Sequence, residues 1–252
     1  MTETGLDVID LTDLDRFARG FPHDAFTMLR REAPVWWHPP TAHTPDGEGF
    51  WVISRHADVL DVLRDAATFS SETGPGRTGG GTILEDLPPG IATGVMINMS
   101  DPPEHTKIRG LVNRAFTPRA IDALDAWLRA RNRAIVDAAL ERREVDFLVD
   151  VAAELPLQTI AQIMGVSQAD RHQLFEWTTT ITDYSDRDLA GTSDRMAEAA
   201  IGMRVYADGL IAEKREHPAD DMFSTVVHAT AEADGGAVEA MSVDELQAFF
   251  SL

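Results

Sequence analysis

The spacing of apolar residues changes once along this chain, and it changes early. Val35-Trp36-Trp37 and Phe50-Trp51-Val52-Ile53 are aromatic and β-branched runs of strand length. The polar stretch 38–49 carries Pro and Gly, so the two runs are expected to pair as a hairpin. A short helix is expected before them over residues 26–32, with Phe26 and Leu29 on one side and Pro34 as its stop. Ser54 is expected to cap a second helix carrying Val59, Leu60, Val62 and Leu63 and ending near Ala67.

Periodicity is lost over residues 70–94, where GPGRTGGG and Leu87-Pro88-Pro89-Gly90 are loop chemistry. These glycines do not form a phosphate cradle. No strand leads into them, no helix follows directly, and no Gly-Lys-Ser/Thr is present. A flexible loop is expected instead. After Pro102 the spacing is helical. Ile121, Leu124, Leu128, Ile135 and Ala138 recur on one face, interrupted by Arg131. A helix with Ile160, Ile163 and Met164 ends at Gly165, and Ser167 to Asp170 starts another in capping-box style. Residues 192–217 form a long helix with Met196, Ala200, Met203, Ala207 and Leu210 on one face, closed by Pro218. Ser242 and Glu245 make a last capping box before Leu246, Phe249 and Phe250. The pattern predicts a mainly α fold with a small N-terminal β hairpin. Domains seldom end on Phe-Phe-Ser-Leu, so the polypeptide is expected to continue or to be a truncated product. Docking of this short helix as a genuine C-terminus is the alternative.

Composition narrows the function classes. Of the 252 residues, 44% are hydrophobic and 25% charged, as in folded globular chains. Without a cysteine, the chain can hold no disulfide, zinc thiolate site, iron–sulfur cluster or cysteine nucleophile. The net charge of −20 repels nucleic acid and anionic membrane and fits a solvated acidic surface. No signal-peptide pattern and no apolar run of about 20 residues is present, so a cytoplasmic protein without a membrane anchor is expected. Asp183, Asp186 and Asp188 lack the glycine of a calcium loop and are expected in a solvated loop. None of the eight histidines is spaced with acids or a second histidine as a metal cluster. There is no Gly-x-Ser-x-Gly elbow.

The densest chemical signal is Asp101-Pro-Pro-Glu-His-Thr-Lys-Ile-Arg109. Asp101 is a good N-cap, Pro102 suits the first helical position, and Glu104 completes a capping box. His105 and Arg109 are then one turn apart on one face. Cations in the first turns oppose the helix dipole, and an anionic partner would reverse that cost. Two such donors suit a pair of carboxylates on one ligand. On spacing alone, the commoner arrangement is a surface His and an Arg109 paired with a nearby acid.

These residues sit in a longer match. MINMSDPPEHTKIRGLVNRAFTPR, residues 96–119, resembles the C-helix region of bacterial cytochromes P450. GFWVISRHADVLDVLRDAATFSS resembles that family's second strand and B helix, and ELPLQTIAQIMGVSQADR resembles its E helix. His217-Pro-Ala-Asp-Asp221 stands before the expected H helix, and MSVDELQAFF resembles the start of the I helix. The resemblance implies the N-terminal part of a single P450 domain, residues 1–252, cut at the start of the I helix. It implies haem b with His105 and Arg109 donating to the propionates. It also implies an apolar substrate, with a steroid or methyl-branched lipid nearest, and a ferredoxin or flavoprotein electron donor. By the same analogy Met96, Ile97 and Trp177 face substrate, with core packing an equal alternative for Met96 and Ile97. The family's oxygen-activating acid/alcohol pair, its Glu-x-x-Arg and its Cys loop do not occur here, so no catalytic residue and no metal ligand is assigned. A haem-free inactive fragment and an acidic helical binding or scaffold domain remain as alternatives.

Overall fold

The computed structural model describes all residues except 1–4, 7, 45–46, 75, 78, 88–92, 183–192 and 233–237. The chain forms two compact units, Met1–His105 and Thr106–Leu252. The aspartates at 183, 186 and 188 lie outside the described residues.

In the first unit, α1 (Leu14–Ala18) and α2 (His23–Glu32) precede β1 (Val35–His38) and β2 (Phe50–Ile53). The strands pair antiparallel, Val35 opposite Ile53 and His38 opposite Phe50. Side chains alternate across the pleat. Val52 and Trp36 join a core with Ile9, Ala25 and Leu29, in which Ala25 and Leu29 lie one turn apart on α2. Trp37 and Trp51 take the outer face, their rings 5.2 Å apart. His38 is buried and fully bonded. Its Nε2 accepts from the Leu11 amide at 2.9 Å, so Nδ1 carries the proton that meets the Pro39 carbonyl at 2.8 Å.

Three sequence expectations shift here. Helix α2 starts three residues before Phe26, with Asp24 in its first turn where the dipole favours it. Ser54 does not cap α3 (His56–Arg64). Its amide and hydroxyl both donate to the Pro34 carbonyl, extending the hairpin by one step, and Arg55 takes the cap position. Helix α3 ends at Arg64, short of Ala67, because Asp65 begins a new turn and accepts from the Thr68 amide. Beyond it the long loop makes several pairings among its described residues. Gly80 and Leu87 exchange two backbone hydrogen bonds, and Arg77 pairs with Glu48 at 2.9 Å and Asp86 at 2.7 Å.

Helix α4 (Glu104–Asn113) crosses the division between units. The second unit continues with α5 (Pro118–Leu140), a π-helical turn at Leu148–Ala152, α6 (Glu154–Ile163), α7 (Arg171–Thr182), α8 (Ser193–Glu216) and α9 (Met222–Val227). A second antiparallel pair follows, β3 (Thr230–Glu232) with β4 (Val238–Ala240), and then α10 (Val243–Phe250). The pattern of apolar positions did not anticipate this pair. Helix α8 is the hub, packing on α7, α9 and α10. Its buried face is Ala199, Met203, Ala207, Leu210 and Ile211, while Ala200, expected inside, is exposed. Ser167 and Asp170 do not form a capping box. Ser167 bonds the Ala169 amide and Asp170 accepts from Tyr206, so α7 starts only at Arg171. At α10 the expected capping box is complete, Ser242 to the Glu245 amide at 3.2 Å and Glu245 to the Ser242 amide at 2.6 Å.

One buried ion pair joins three of these elements. Lys214 near the end of α8 and Asp221 at the start of α9 meet at 2.7 Å, their side chains 5% and 7% exposed. The second Asp221 oxygen caps α9 through the Ser224 amide at 2.6 Å. Gly165, which ends α6 with φ +62°, lies against the pair; a Cβ there would collide with the carboxylate and the ammonium. Removing one partner strands a buried charge. Asp221→Ala is therefore expected to lower unfolding free energy by about 3–5 kcal/mol, measured by urea denaturation followed by circular dichroism; a loss of well under 1 kcal/mol would contradict this account.

Candidate functional site

Helix α4 is amphipathic in a way that sorts its cations. Ile108 and Leu111 are buried within it, and Ala115 just beyond continues the same side. At about 100° per residue, His105 and Arg109 lie within about 40° of one another on one flank of this stripe, Arg109 turned farther from it, while Lys107 borders the opposite flank. Their surroundings differ. Lys107 reaches Glu239 and Glu245, each at 3.5 Å. His105 is half-buried and Arg109 exposed. Among the described residues, neither of their side chains has a hydrogen-bond, ion-pair or ring partner. The face therefore offers a half-sheltered imidazole and a free guanidinium fork one turn apart. That donor set fits a ligand bearing two carboxylates.

The approach to α4 differs from the sequence expectation. Asp101 supplies its carbonyl to the His105 amide at 2.9 Å, as an N-terminal residue should, but its carboxylate does not cap the helix. It accepts instead from the Ser70 hydroxyl and, at 2.9 Å, from the Ser71 amide. Its own amide donates to Glu72 at 3.2 Å. Two donors from a neighbouring turn have outcompeted the first-turn amides, and the helix proper begins at Glu104.

The three residues expected to face substrate fall in different units. Met96 and Ile97, in the first, open a 3-10 turn at Ile97–Met99, and the Met96 carbonyl accepts from the Met99 amide and the Ser100 hydroxyl. Both side chains are half-buried. Trp177, in the second, is a helix-packing residue of α7. Its indole lies 2.9 Å from where a Cβ on Gly202 of α8 would stand, so glycine makes room for it. Its ring meets Tyr206 edge-on at 6.4 Å. Tyr206 in turn donates to Asp170 at 2.9 Å. Burial first, then this hydrogen bond and the Asp170 charge, push the Tyr206 phenol up to about 12. No His, Asp or Glu cluster suited to a metal ion occurs among the described residues.

No protein-family model matches the chain. Individual relatives do. The chain is 49% identical over its whole length to cytochrome P450 126 of Mycobacterium tuberculosis, of which it covers 60%. It is 38% identical over 87% of its length to a steroid C26-monooxygenase of Rhodococcus jostii, covering 46% of that protein. A methyl-branched lipid omega-hydroxylase of Mycobacterium tuberculosis is 35% identical over 90% of the chain, which covers 52% of it. Among solved structures, a Mycobacterium marinum cytochrome P450 in complex with pseudoionone matches with a TM-score of 0.75 and 30% identity, over 96% of this chain and 59% of that one. A Bacillus subtilis cytochrome P450 of bacillaene polyketide synthesis matches at 0.72 and 26%, over 91% and 53%. The helical order after an antiparallel hairpin is thus a cytochrome P450 fold. The chain is similar to cytochromes P450 over nearly all of its length and spans 46–60% of the length of these curated relatives.

The Tyr206 environment is directly measurable. A folded pKa raised from 10 to about 12 contributes stability that is complete below pH 10 and lost as pH climbs to about 12. Urea midpoints are expected to fall over that window, and Tyr206→Phe to make the fall shallower. Equal slopes for both proteins would show that the phenol is not held in this way.

Proposed function

We propose that these 252 residues form part of a single haem-dependent monooxygenase domain in which His105 and Arg109 bind the two haem propionates. The observation that carries this is the pair on α4 whose side chains have no partner among the described residues, in a chain with 42 acidic residues and only 22 lysines and arginines. Arg109 would hold one carboxylate through its planar fork, and the half-buried His105 would donate to the other from one turn back. Both are binding residues; neither handles a reacting atom. When bound in the complete protein, haem b would supply dioxygen activation and insertion of one oxygen atom into an unactivated C–H bond. The axial thiolate is not among these residues, since the chain has no cysteine.

The substrate proposed is an apolar small molecule, a steroid or branched lipid. It is supported by the names of two relatives, a steroid C26-monooxygenase and a methyl-branched lipid omega-hydroxylase. Met96, Ile97 and Trp177 are proposed to face it. The packing of Trp177 on Tyr206 and Gly202 gives that residue a structural task as well. The electron donor proposed is a ferredoxin or flavoprotein, in a cytoplasmic setting. Among the described residues no helix is long and apolar enough to cross a membrane.

Arg109→Ala tests the propionate role in a holoprotein of the relatives' full length that carries this sequence. Loss of a charge-assisted bond is expected to speed haem transfer to an acceptor protein by about tenfold or more. Helical circular dichroism should be unchanged, and Arg109→Lys should recover only part of the loss. Unaltered haem retention in Arg109→Ala would remove the propionate assignment.

A further inference from the structure

The turn after α3 and the start of α4 are closed on each other by a compact set of hydrogen bonds. Both Asp101 carboxylate oxygens are occupied, one by the Ser70 hydroxyl and the other by the Ser71 amide. The Ser70 oxygen accepts in turn from the Glu72 and Thr73 amides at 3.0 and 2.9 Å. The Glu72 carboxylate takes the Asp101 amide at 3.2 Å. Its other oxygen lies close to Gly94, whose φ of +74° lets the chain turn there and whose amide binds the Met99 carbonyl at 2.7 Å. Asp101 is thus held at its amide and its carboxylate while its carbonyl accepts the first bond of α4, from His105. An unclasped Asp101 would be free to swing in and cap the helix, as its sequence context favours. The structure shows that it does not.

We infer that Asp101 is a positioning residue for the cationic face of α4: its clasp to Ser70 and Ser71 fixes where the helix begins, and so the direction in which His105 and Arg109 point. This rests on the propionate role proposed for those two residues. The physical reason is the reach of a helix. An error in the direction of its first turn is carried along a rigid rod, and one residue of slip turns a side chain by about 100°. A bidentate contact tolerates far less than that. The geometry further assigns Ser70 as the partner through which Asp101 acts, because its single oxygen both donates to Asp101 and gathers two amides of the turn.

The test is a double-mutant cycle in the full-length holoprotein, reading haem transfer to an acceptor and hydrogen exchange at the His105 amide. Asp101→Asn is expected to raise exchange at His105 and to speed haem loss about tenfold. In an Arg109→Ala background the same change should add less than about twofold, because the contact it aims is already gone. Ser70→Ala, a milder change should Asp101→Asn fail to fold, is expected to act in the same direction, and Ser70→Thr, which keeps the hydroxyl, to restore retention. If Asp101→Asn and Arg109→Ala multiply independently, Asp101 is merely structural and the inference fails. If Arg109→Ala speeds haem loss and neither Asp101→Asn nor Ser70→Ala does, the positioning role fails while the propionate role stands. An Arg109→Ala protein that keeps its haem would overturn both.

Discussion

The second unit depends on the contact between Lys214 and Asp221. Two full charges have been taken out of water, and the Coulomb attraction between them does not by itself offset that cost. The remaining stabilisation comes from what else Asp221 does. Its second oxygen satisfies one orphan amide of α9, that of Ser224, so the carboxylate is bonded on both sides. Pro218 lies between the two residues in sequence and ends α8, so the chain must turn back where the charges need it to. Gly165 completes the enclosure, since only a residue without a Cβ allows the end of α6 to approach. From this point α8 runs back beneath α10, and Phe223 of α9 meets Phe249 and Phe250 of α10 at 6.3 and 5.7 Å.

The candidate site follows from how charge is distributed along one helix. The chain carries roughly two acids for each lysine or arginine, so a cation without a carboxylate nearby is unexpected on composition alone. On α4 the sorting is geometric. The side bearing Lys107 meets acids from β4 and α10, and the side bearing His105 and Arg109 meets none among the described residues. The sheltered position of His105 beside the Ile108 and Leu111 stripe lowers the local dielectric, which strengthens a charge-assisted bond there.

Much of this was legible in the sequence because the signals were local and agreed with one another. The hairpin runs, the Pro218 stop, the Gly165 end and the Ser242–Glu245 box each state their element in a few residues, and each is found where the pattern put it. The misses share a different cause. Ser54, Asp101 and Ser167 are all good caps by type, but Ser54 donates to the Pro34 carbonyl, Asp101 accepts from Ser70 and Ser71, and Ser167 accepts from the Ala169 amide. Capping propensity counts only the neighbours along the chain, and at Ser54 and Asp101 a partner folded in from elsewhere outbids it. The short β3–β4 pair has little apolar content to announce it, although Asp234-Gly235 between the strands is a dipeptide favoured in hairpin turns. At the site, the i,i+4 spacing of His105 and Arg109 was readable, but their lack of partners was not, since that depends on which acids the fold brings near.

Glu245 serves two helices at once. One of its oxygens closes the capping box of α10 and the other reaches Lys107 of α4. The two helices are separated by more than a hundred residues of chain, yet they share this carboxylate as a common fastening. A disturbance that draws α10 away from its seat would therefore be felt on α4 as a pull on the side opposite His105 and Arg109. The helix that carries the proposed binding pair is in this sense anchored from behind, and the placement of His105 and Arg109 is tied to the integrity of α10.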